Sequence, residues 1–184
     1  YRRVLAPPAH MRADILEEIE RTVAAHREGR QARIRMKMNS LVDRACIQAL
    51  YRASQAGVRI DLLVRGICCL RPGVKGLSQN ITVRSVVDRF LEHSRIFYFE
   101  NACQPEVFLS SADWLPRNFY RRVELAFPIE DGVLRERVIS EILAVSLADL
   151  VWGATLTVTG DLWHSPESDA RSLGADLSRE FSER

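Results

Sequence analysis

The sequence predicts an α/β fold, and the order of the patterns in the first part of the chain supports it. A helix pattern, a strand pattern, a second helix and a dense apolar run follow one another between residues 11 and 64. A strand, helix, strand order of this length implies two parallel strands joined by a right-handed crossover. The composition agrees, because 47% of the 184 residues are hydrophobic and the net charge is +2. Disordered and collagen-like proteins are therefore excluded.

The first helix is predicted over residues 11 to 28 and ends near Gly29. Its apolar residues recur every fourth position, as on the buried face of an amphipathic helix: Met11, Ile15, Ile19 and Val23. Alternating apolar and cationic side chains then predict a strand around residues 34 to 38 with one buried face. Asp43 is expected to cap a second helix that stops at Gly57, and residues 58 to 64 predict a strand buried on both faces.

The later elements are predicted from shorter patterns. A short helix is expected around residues 83 to 92, and three apolar runs predict further strands: 96 to 99, 107 to 109 and 123 to 129. Residues 133 to 152 predict the strongest helix, with a core stripe of Leu134, Val138, Ile142, Leu143 and Leu147. A hairpin of 155 to 158 with 162 to 164 and a polar tail complete the chain. The predicted domain spans residues 1 to 152, and the hairpin and tail span 153 to 184.

Charge and cysteine content narrow the class of protein. Residues 1 to 100 carry 18 basic and 10 acidic side chains, so this half of the chain should attract anions. No apolar stretch is long enough to span a membrane and no signal peptide is recognised, which predicts a cytoplasmic protein. The four cysteines lack the spacing of zinc sites and the density of a disulfide scaffold, so reduced thiols are expected. The chain begins at Tyr1, which indicates a piece of something longer.

Two residues are candidates for a site. Arg65 closes the second predicted strand, at the carboxyl end where open α/β sheets bind ligands, and it either leaves the core there or meets an anion. His93 lies between a predicted helix and a strand, where an imidazole can donate a proton or serve a purely structural role. Residues 110 to 118 collect hydroxyl, carboxylate, guanidinium and amide groups, although a capped turn explains them equally well. No pair of histidines has metal-ligand spacing.

Six segments within roughly residues 4 to 150 form a recognisable set: 37 to 43, 51 to 58, 64 to 68, 88 to 95, 110 to 114 and 117 to 118. In this order and with few gaps, they resemble the C-terminal region of bacterial polyphosphate kinase of the long-chain type. The resemblance implies a phospholipase-D-like mixed sheet flanked by helices, as the second of two such domains that share a catalytic tunnel. The phosphorylated histidine of that family would lie upstream of this chain.

The resemblance also implies roles for individual residues. Arg65 matches the arginine that contacts nucleotide phosphates, and His93 matches the second active-site histidine. Phospholipase-D-like enzymes use H-x-K followed by G-S-x-N, whereas this chain has Arg95 for the lysine and Asp113 for the asparagine. These departures argue against phosphorylation of His93 itself. Mg²⁺ is expected with ATP, on ligands outside this chain.

The resemblance therefore predicts a domain of an enzyme that transfers the terminal phosphate of ATP reversibly to polyphosphate. Its expected partners are ATP or ADP, polyphosphate, the N-terminal remainder of the kinase chain and further copies of the intact protein. The alternative is a non-catalytic module that binds polyphosphate or nucleotide or serves in assembly. Nucleic-acid binding is a less favoured hypothesis, because no aromatic stacking platform accompanies the basic residues. Cytoplasmic localisation is expected, and a peripheral position at the inner membrane is the alternative location.

Overall fold

The computed structural model describes residues 5, 10–86, 93–102, 104–148, 153–156 and 162–164. The strands in this part of the chain are, in order, β1 (Ala32–Met38), β2 (Arg59–Val64), β3 (Ile81–Val86), β4 (Ile96–Asn101), β5 (Gln104–Ser110), β6 (Ala126–Pro128), β7 (Gly153–Leu156) and β8 (Leu162–His164). They form one sheet in the order β6-β5-β4-β1-β2-β3-β7-β8. β1, β2 and β3 are parallel, and every other neighbouring pair is antiparallel. The predicted mixed sheet and its parallel β1–β2 pair are confirmed.

The two helices predicted near the start are also confirmed, as α1 (Met11–Arg27) and α2 (Arg44–Gln55). The carboxylate of Asp43 accepts a hydrogen bond of 3.0 Å from the backbone N–H of Cys46, which caps α2 as expected. Gly57 follows α2 with a φ of +100°, and a Cβ at this position would lie 2.6 Å from Nε2 of His26. A glycine is therefore required where the chain leaves α2 for β2.

The sheet has an apolar core on each face, as β4 shows. Phe97 and Phe99 point into the larger core, which contains the buried faces of α1 and α2. Ile96 and Tyr98 point to the other side, where they pack in a second core with Leu143. Helical segments therefore flank both faces, and β2 is buried on both, as the sequence predicts.

The prediction of a helix over residues 83 to 92 is wrong for its first part, because Ile81–Val86 form the parallel strand β3. Ile81 and Val83 are buried, and the residues that alternate with them, Thr82 and Arg84, are half-buried. This period of two and the β-branched side chains favour a strand. Residues 87–92 lie outside the described part of the chain.

The predicted long helix is interrupted. It comprises α4 (Gly132–Arg137), a π-helical segment (Val138–Leu143) and α5 (Ala144–Ala148), and residues 149–152 lie outside the described residues. Leu143 and Leu147 are buried as predicted, but Leu134 and Ile142 are 53% and 43% exposed. A π-helical turn adds a residue to the turn, so a stripe spaced for a regular α-helix no longer lies on one face. Leu134 and Ile142 instead line an apolar cavity of about 640 Å³ beside β6.

The remaining elements differ from the predictions in detail. β6 covers three residues of the seven predicted, and α3 (Pro116–Tyr120) was not predicted. The predicted pairing of a hairpin is confirmed, because β7 pairs with β8 and continues the sheet through β3, but β7 covers 153 to 156 where 155 to 158 was predicted, and residues 157–161 lie outside the described residues. The tail from 165 onward lies outside the described residues, and the boundary at residue 152 stays a prediction. In the described part of the chain, no helix has the length and apolar character needed to cross a membrane.

Candidate functional site

The carboxyl ends of β1 and β2 lie side by side and present their next residues at one edge of the sheet. The backbone N–H of Arg65 donates to Met38 O at 3.2 Å, and that of Gly66 donates to Asn39 O at 2.8 Å. A Cβ on Gly66 would lie only 3.0 Å from the same Asn39 oxygen, so a glycine permits this close approach. Asn39 and Arg65 therefore leave parallel strands at neighbouring points, where ligands bind in open α/β sheets.

The antiparallel strands bring two further segments to this edge. β4 begins where β1 ends, since Lys37 pairs with Ile96, so residues 93–95 lie beside the end of β1. β5 ends there too, because the N–H of Ser110 donates to Arg95 O at 3.1 Å. The loop that follows β5 crosses the end of β1, and the N–H of Trp114 donates to Ser40 O at 3.1 Å. Four segments distant in sequence thus meet at one place.

Asp113 lies at the centre of this meeting point, with 7% of its surface exposed. Its Oδ1 accepts hydrogen bonds from the backbone N–H groups of Asn39 at 2.7 Å and Ser40 at 3.2 Å, and from Nε of Arg95 at 3.0 Å. Its Oδ2 accepts from Nη2 of Arg95 at 3.0 Å. Burial alone would raise the pKa of Asp113, but the bonds from Arg95 and the backbone outweigh burial and lower the pKa below its ordinary value.

Arg95 connects this carboxylate to His93. The guanidinium of Arg95 is used on both sides, since it also donates from Nη1 to the backbone oxygen of His93 at 3.2 Å. Nδ1 and Nε2 of the His93 ring lie 3.4 and 3.3 Å from Nη1 and Nη2 of Arg95. A neutral imidazole has one acceptor nitrogen, so the two contacts cannot both be hydrogen bonds, and the ring lies against the guanidinium. His93 is exposed, and Arg95 holds it in place.

Asn39 connects the same carboxylate to Arg65. Its Nδ2 lies 3.4 Å from Oδ1 of Asp113, and its Oδ1 accepts a hydrogen bond of 2.8 Å from Nε of Arg65. The side chain of Arg65 is exposed, and within the described part of the chain its two Nη nitrogens have no hydrogen-bond partner. Arg65 therefore presents the open side of a cationic fork to solvent, in the geometry that binds phosphate or carboxylate oxygens.

The electrostatics of the edge favour an anion. Lys37 is buried beside it, and its Nζ donates to the hydroxyl of Ser94 at 2.5 Å. Among the described residues, three cations, Lys37, Arg65 and Arg95, thus lie at this edge together with one carboxylate, Asp113, which is paired with Arg95. We call these residues with Asn39, Ser94 and His93 the edge network. A net positive, partly desolvated edge of this kind attracts polyanions.

Comparison with known families decides what kind of domain carries this edge. A model of the family described as polyphosphate kinase C-terminal domain 2 matches residues 4–173. The chain belongs to this family. The resemblance found in the sequence is thereby confirmed at the level of the family.

Relatives of known sequence agree. Polyphosphate kinase 1 of Chlorobaculum tepidum is 56% identical over 149 residues, which cover 81% of this chain and 21% of that protein. This chain therefore spans about a fifth of the length of the curated relatives that it matches.

Solved structures support the fold. Polyphosphate kinase from Porphyromonas gingivalis superposes with a TM-score of 0.85 at 40% identity, covering 98% of this chain and 28% of that one. Nuc from Salmonella typhimurium, a phospholipase D family member, superposes with a TM-score of 0.58 at 16% identity, over 88% of this chain and 97% of that one. At such low identity the second match shows the fold alone, and the predicted phospholipase-D-like fold of the polyphosphate kinase domain is confirmed.

The edge network contains both residues predicted from the sequence, and more. Arg65 and His93 are both exposed at the same edge, and the contacts through Asn39, Asp113 and Arg95 connect them. Asn39 was missed, although the signal that selected Arg65, a polar residue directly after a parallel strand, applies to it equally. Asp113 was left open between a capped turn and, through the resemblance, the asparagine position of G-S-x-N, because no local pattern shows that its loop folds back over β1.

The edge does not fit a metal ion. The described residues of the polyphosphate kinase domain include no cluster of three or more His, Cys, Asp or Glu side chains able to hold one. Asp113, the carboxylate of the network, faces hydrogen-bond donors on both oxygens and has a guanidinium beside it. Magnesium bound to carboxylates requires open oxygen ligands, which Asp113 does not offer.

Proposed function

We propose that this chain is the C-terminal catalytic domain of a polyphosphate kinase, which transfers the terminal phosphate of ATP reversibly to a growing polyphosphate chain. One observation carries the proposal: Arg65, just after β2, and His93, just before β4, are both exposed at one cationic sheet edge, where contacts through Asn39, Asp113 and Arg95 connect them. Membership of the family and the 56% identity to a polyphosphate kinase support it.

Arg65 is proposed to bind phosphate oxygens of the nucleotide or of polyphosphate. Asn39 holds its Nε, so both Nη nitrogens remain directed away from the protein for a bidentate contact. Phosphoryl transfer depends mainly on positioning and on stabilising charge at the phosphoryl oxygens. A fixed guanidinium at the edge of the sheet supplies both contributions.

His93 is proposed to donate a hydrogen bond or a proton to the phosphoryl oxygens or to the departing ADP. Transfer breaks the bond between the terminal phosphorus and the bridging oxygen, and negative charge accumulates on that oxygen as ADP leaves. An exposed imidazole, held against Arg95, is a suitable donor to this oxygen.

The rest of the reaction is assigned to parts outside this chain. We expect the phosphorylated histidine in the N-terminal remainder of the kinase, and Mg²⁺ to arrive with ATP on ligands there, since the edge network does not fit a metal. We therefore expect the isolated chain to be inactive and the intact kinase to be a cytoplasmic homo-oligomer.

Two variants of the intact kinase test the proposal. Arg65→Ala should lower kcat/KM for polyphosphate synthesis from ATP by about 10² to 10³-fold, and His93→Ala by a similar factor. The matched control is Arg59→Ala, because Arg59 is an exposed arginine at the opposite end of the same strand, β2. Its turnover should equal that of the unchanged kinase. Unchanged turnover of both Arg65→Ala and His93→Ala would remove the proposed catalytic role.

Calorimetry distinguishes the alternative of a passive module. Titration of the isolated chain with polyphosphate should show binding that weakens at least tenfold in Arg65→Ala. Strong binding by the chain, together with full turnover of the kinase variants, would identify a binding or assembly module.

A further inference from the structure

Asp113 occupies a position that its burial and contacts make unsuitable for direct chemistry. Both carboxylate oxygens accept hydrogen bonds within the protein, and 7% of the residue is exposed. It cannot accept a proton readily, because the bonds from Arg95 and from the backbone outweigh burial and lower its pKa. Any role in function must therefore act through its neighbours.

Those neighbours lead in two directions. On one side, Asp113 accepts hydrogen bonds from Nε and Nη2 of Arg95 at 3.0 Å each, and Arg95 in turn lies against the ring of His93. Toward the other side, Asp113 accepts from Asn39, and Asn39 holds Nε of Arg65. The carboxylate is the one group of the edge network that touches both connections.

The pair of Arg95 and Asp113 is also electrically balanced. The side chains of both residues are largely buried, with 12% and 9% of their surface exposed, and their charges form a two-bond ion pair. A guanidinium used in this way has its orientation fixed by the carboxylate and is not available as a free phosphate ligand. The exposed charge at the edge is thus left to Arg65, while Arg95 serves to orient an imidazole.

We propose that Asp113 is a positioning residue that sets the relative placement of His93, through Arg95, and of Arg65, through Asn39. The inference rests on the proposed function, in which Arg65 and His93 act on the same phosphoryl group. Displacement of a catalytic group by about 1 Å can lower a rate by about a hundredfold, so a residue that fixes two such groups has a large effect without touching the substrate.

The test compares three variants of the intact kinase: Asp113→Asn, Arg95→Lys and the double variant. Asp113→Asn turns an NH₂ donor toward the donors of Arg95, and Arg95→Lys keeps the charge but cannot bond both carboxylate oxygens. Each should lower kcat about 10 to 100-fold, and the double variant should be no slower than Asp113→Asn within about threefold. Asp131→Asn is the matched control, since Asp131 accepts one backbone hydrogen bond at the exposed start of α4, and its kcat should not change.

The outcomes separate positioning from structure. Losses that multiply in the double variant, or an unchanged kcat in Asp113→Asn, would overturn the positioning role. If Asp113→Asn does not fold, Arg95→Lys alone decides: a lower kcat with an unchanged KM for ATP supports the proposal, because the connection to Arg65 is intact. A raised KM with an unchanged kcat contradicts it.

The same experiments distinguish this inference from the proposed function. If Arg65→Ala and His93→Ala leave turnover unchanged, the proposed function is wrong, and this inference, which rests on it, is wrong as well. If those variants are inactive but Asp113 and Arg95 do not couple, the positioning role alone is wrong.

Discussion

Two buried polar networks of similar composition occur in this domain, and they serve different ends. In the first, Glu18 of α1 accepts from Nδ2 of Asn101 at 3.0 Å and from Arg21 at 2.6 Å, while Thr22 donates to Asn101 Oδ1 at 2.6 Å. We call it the helix network. In the edge network, the corresponding carboxylate is that of Asp113, which is contacted by Asn39 and Arg95. In each network the central carboxylate thus accepts from one amide side chain and one guanidinium.

The difference lies in where the hydrogen bonds lead. The helix network joins α1 to the end of β4, and its carboxylate pKa is raised, because burial and the charge of Glu106 outweigh the bonds from Arg21 and Asn101. The edge network ends in exposed Arg65 and His93, and the pKa of its carboxylate is lowered. A buried polar cluster is therefore not by itself a site. The edge network is a candidate site because it lies at the carboxyl ends of parallel strands and reaches exposed side chains.

The largest effect on the helix network is expected from Asn101→Ala in the 184-residue chain. The change removes the acceptor of the Thr22 hydroxyl and one donor to Glu18, leaving Thr22 only the backbone oxygen of Glu18 and leaving Glu18 only Arg21. The loss of these two buried hydrogen bonds should lower the free energy of unfolding by about 1 to 3 kcal/mol. Urea denaturation measures this loss. Turnover per folded molecule of the intact kinase should not change, and a selective loss of turnover would mean that the two networks are coupled.

The same substitution in the edge network, Asn39→Ala, should affect substrate binding more than stability. Arg65 loses the acceptor that orients its Nε, while Asp113 keeps its bonds from Arg95 and the backbone. We expect the KM for ATP of the intact kinase to rise about tenfold, which corresponds to about 1.4 kcal/mol, the contribution of a charge-assisted hydrogen bond. The midpoint of urea denaturation should move less than in Asn101→Ala. A larger shift would assign Asn39 to the fold.

The smallest effects are expected in the dependence of stability on pH. Asp113 has a lowered pKa, so its stabilising contribution is present above its unfolded value of 3.8 and is lost as the pH falls through the folded pKa. The stability difference between the unchanged chain and Asp113→Asn should therefore shrink toward acid. Glu18 has a raised pKa, so the unchanged chain should lose stability relative to Glu18→Gln as the pH rises from its unfolded value of 4.5 through the higher pKa of the folded chain. Urea midpoints measured from about pH 3 to 7 test both slopes, and slopes of the same sign would contradict the comparison.

Local patterns were sufficient to predict much of the fold. The spacing of apolar residues and a capping residue were enough to locate α1, α2, β1 and β2, because the signals for these elements lie within a few residues of each other. The π-helical segment was missed because it changes the periodicity that the prediction assumes. β3 was missed because a helix was predicted from residue 83 onward, although residues 81 to 86 alternate as a strand does. The family resemblance supplied what the patterns could not, namely the fold and the kind of protein.

The candidate site was predicted only in part, because local patterns locate Arg65 but not Asp113. Arg65 follows a recognisable strand, and its position at the end of β2 could be derived from order along the chain. Asp113 could not, since its role depends on a loop that folds back over β1, and the bond from Asn39 to Asp113 joins residues 74 apart in sequence. Contacts of this kind are determined by the sheet order and not by neighbouring residues.

The wide sequence separation within the edge network has a consequence for the order in which the molecule assembles. Its hydrogen bonds close loops of 26, 57 and 74 residues, so each requires chain segments to meet that start far apart. Non-local contacts of this sort form slowly and after local structure. The edge that we propose to bind polyanions should therefore be among the last parts of a refolding molecule to form, after the central strands have paired.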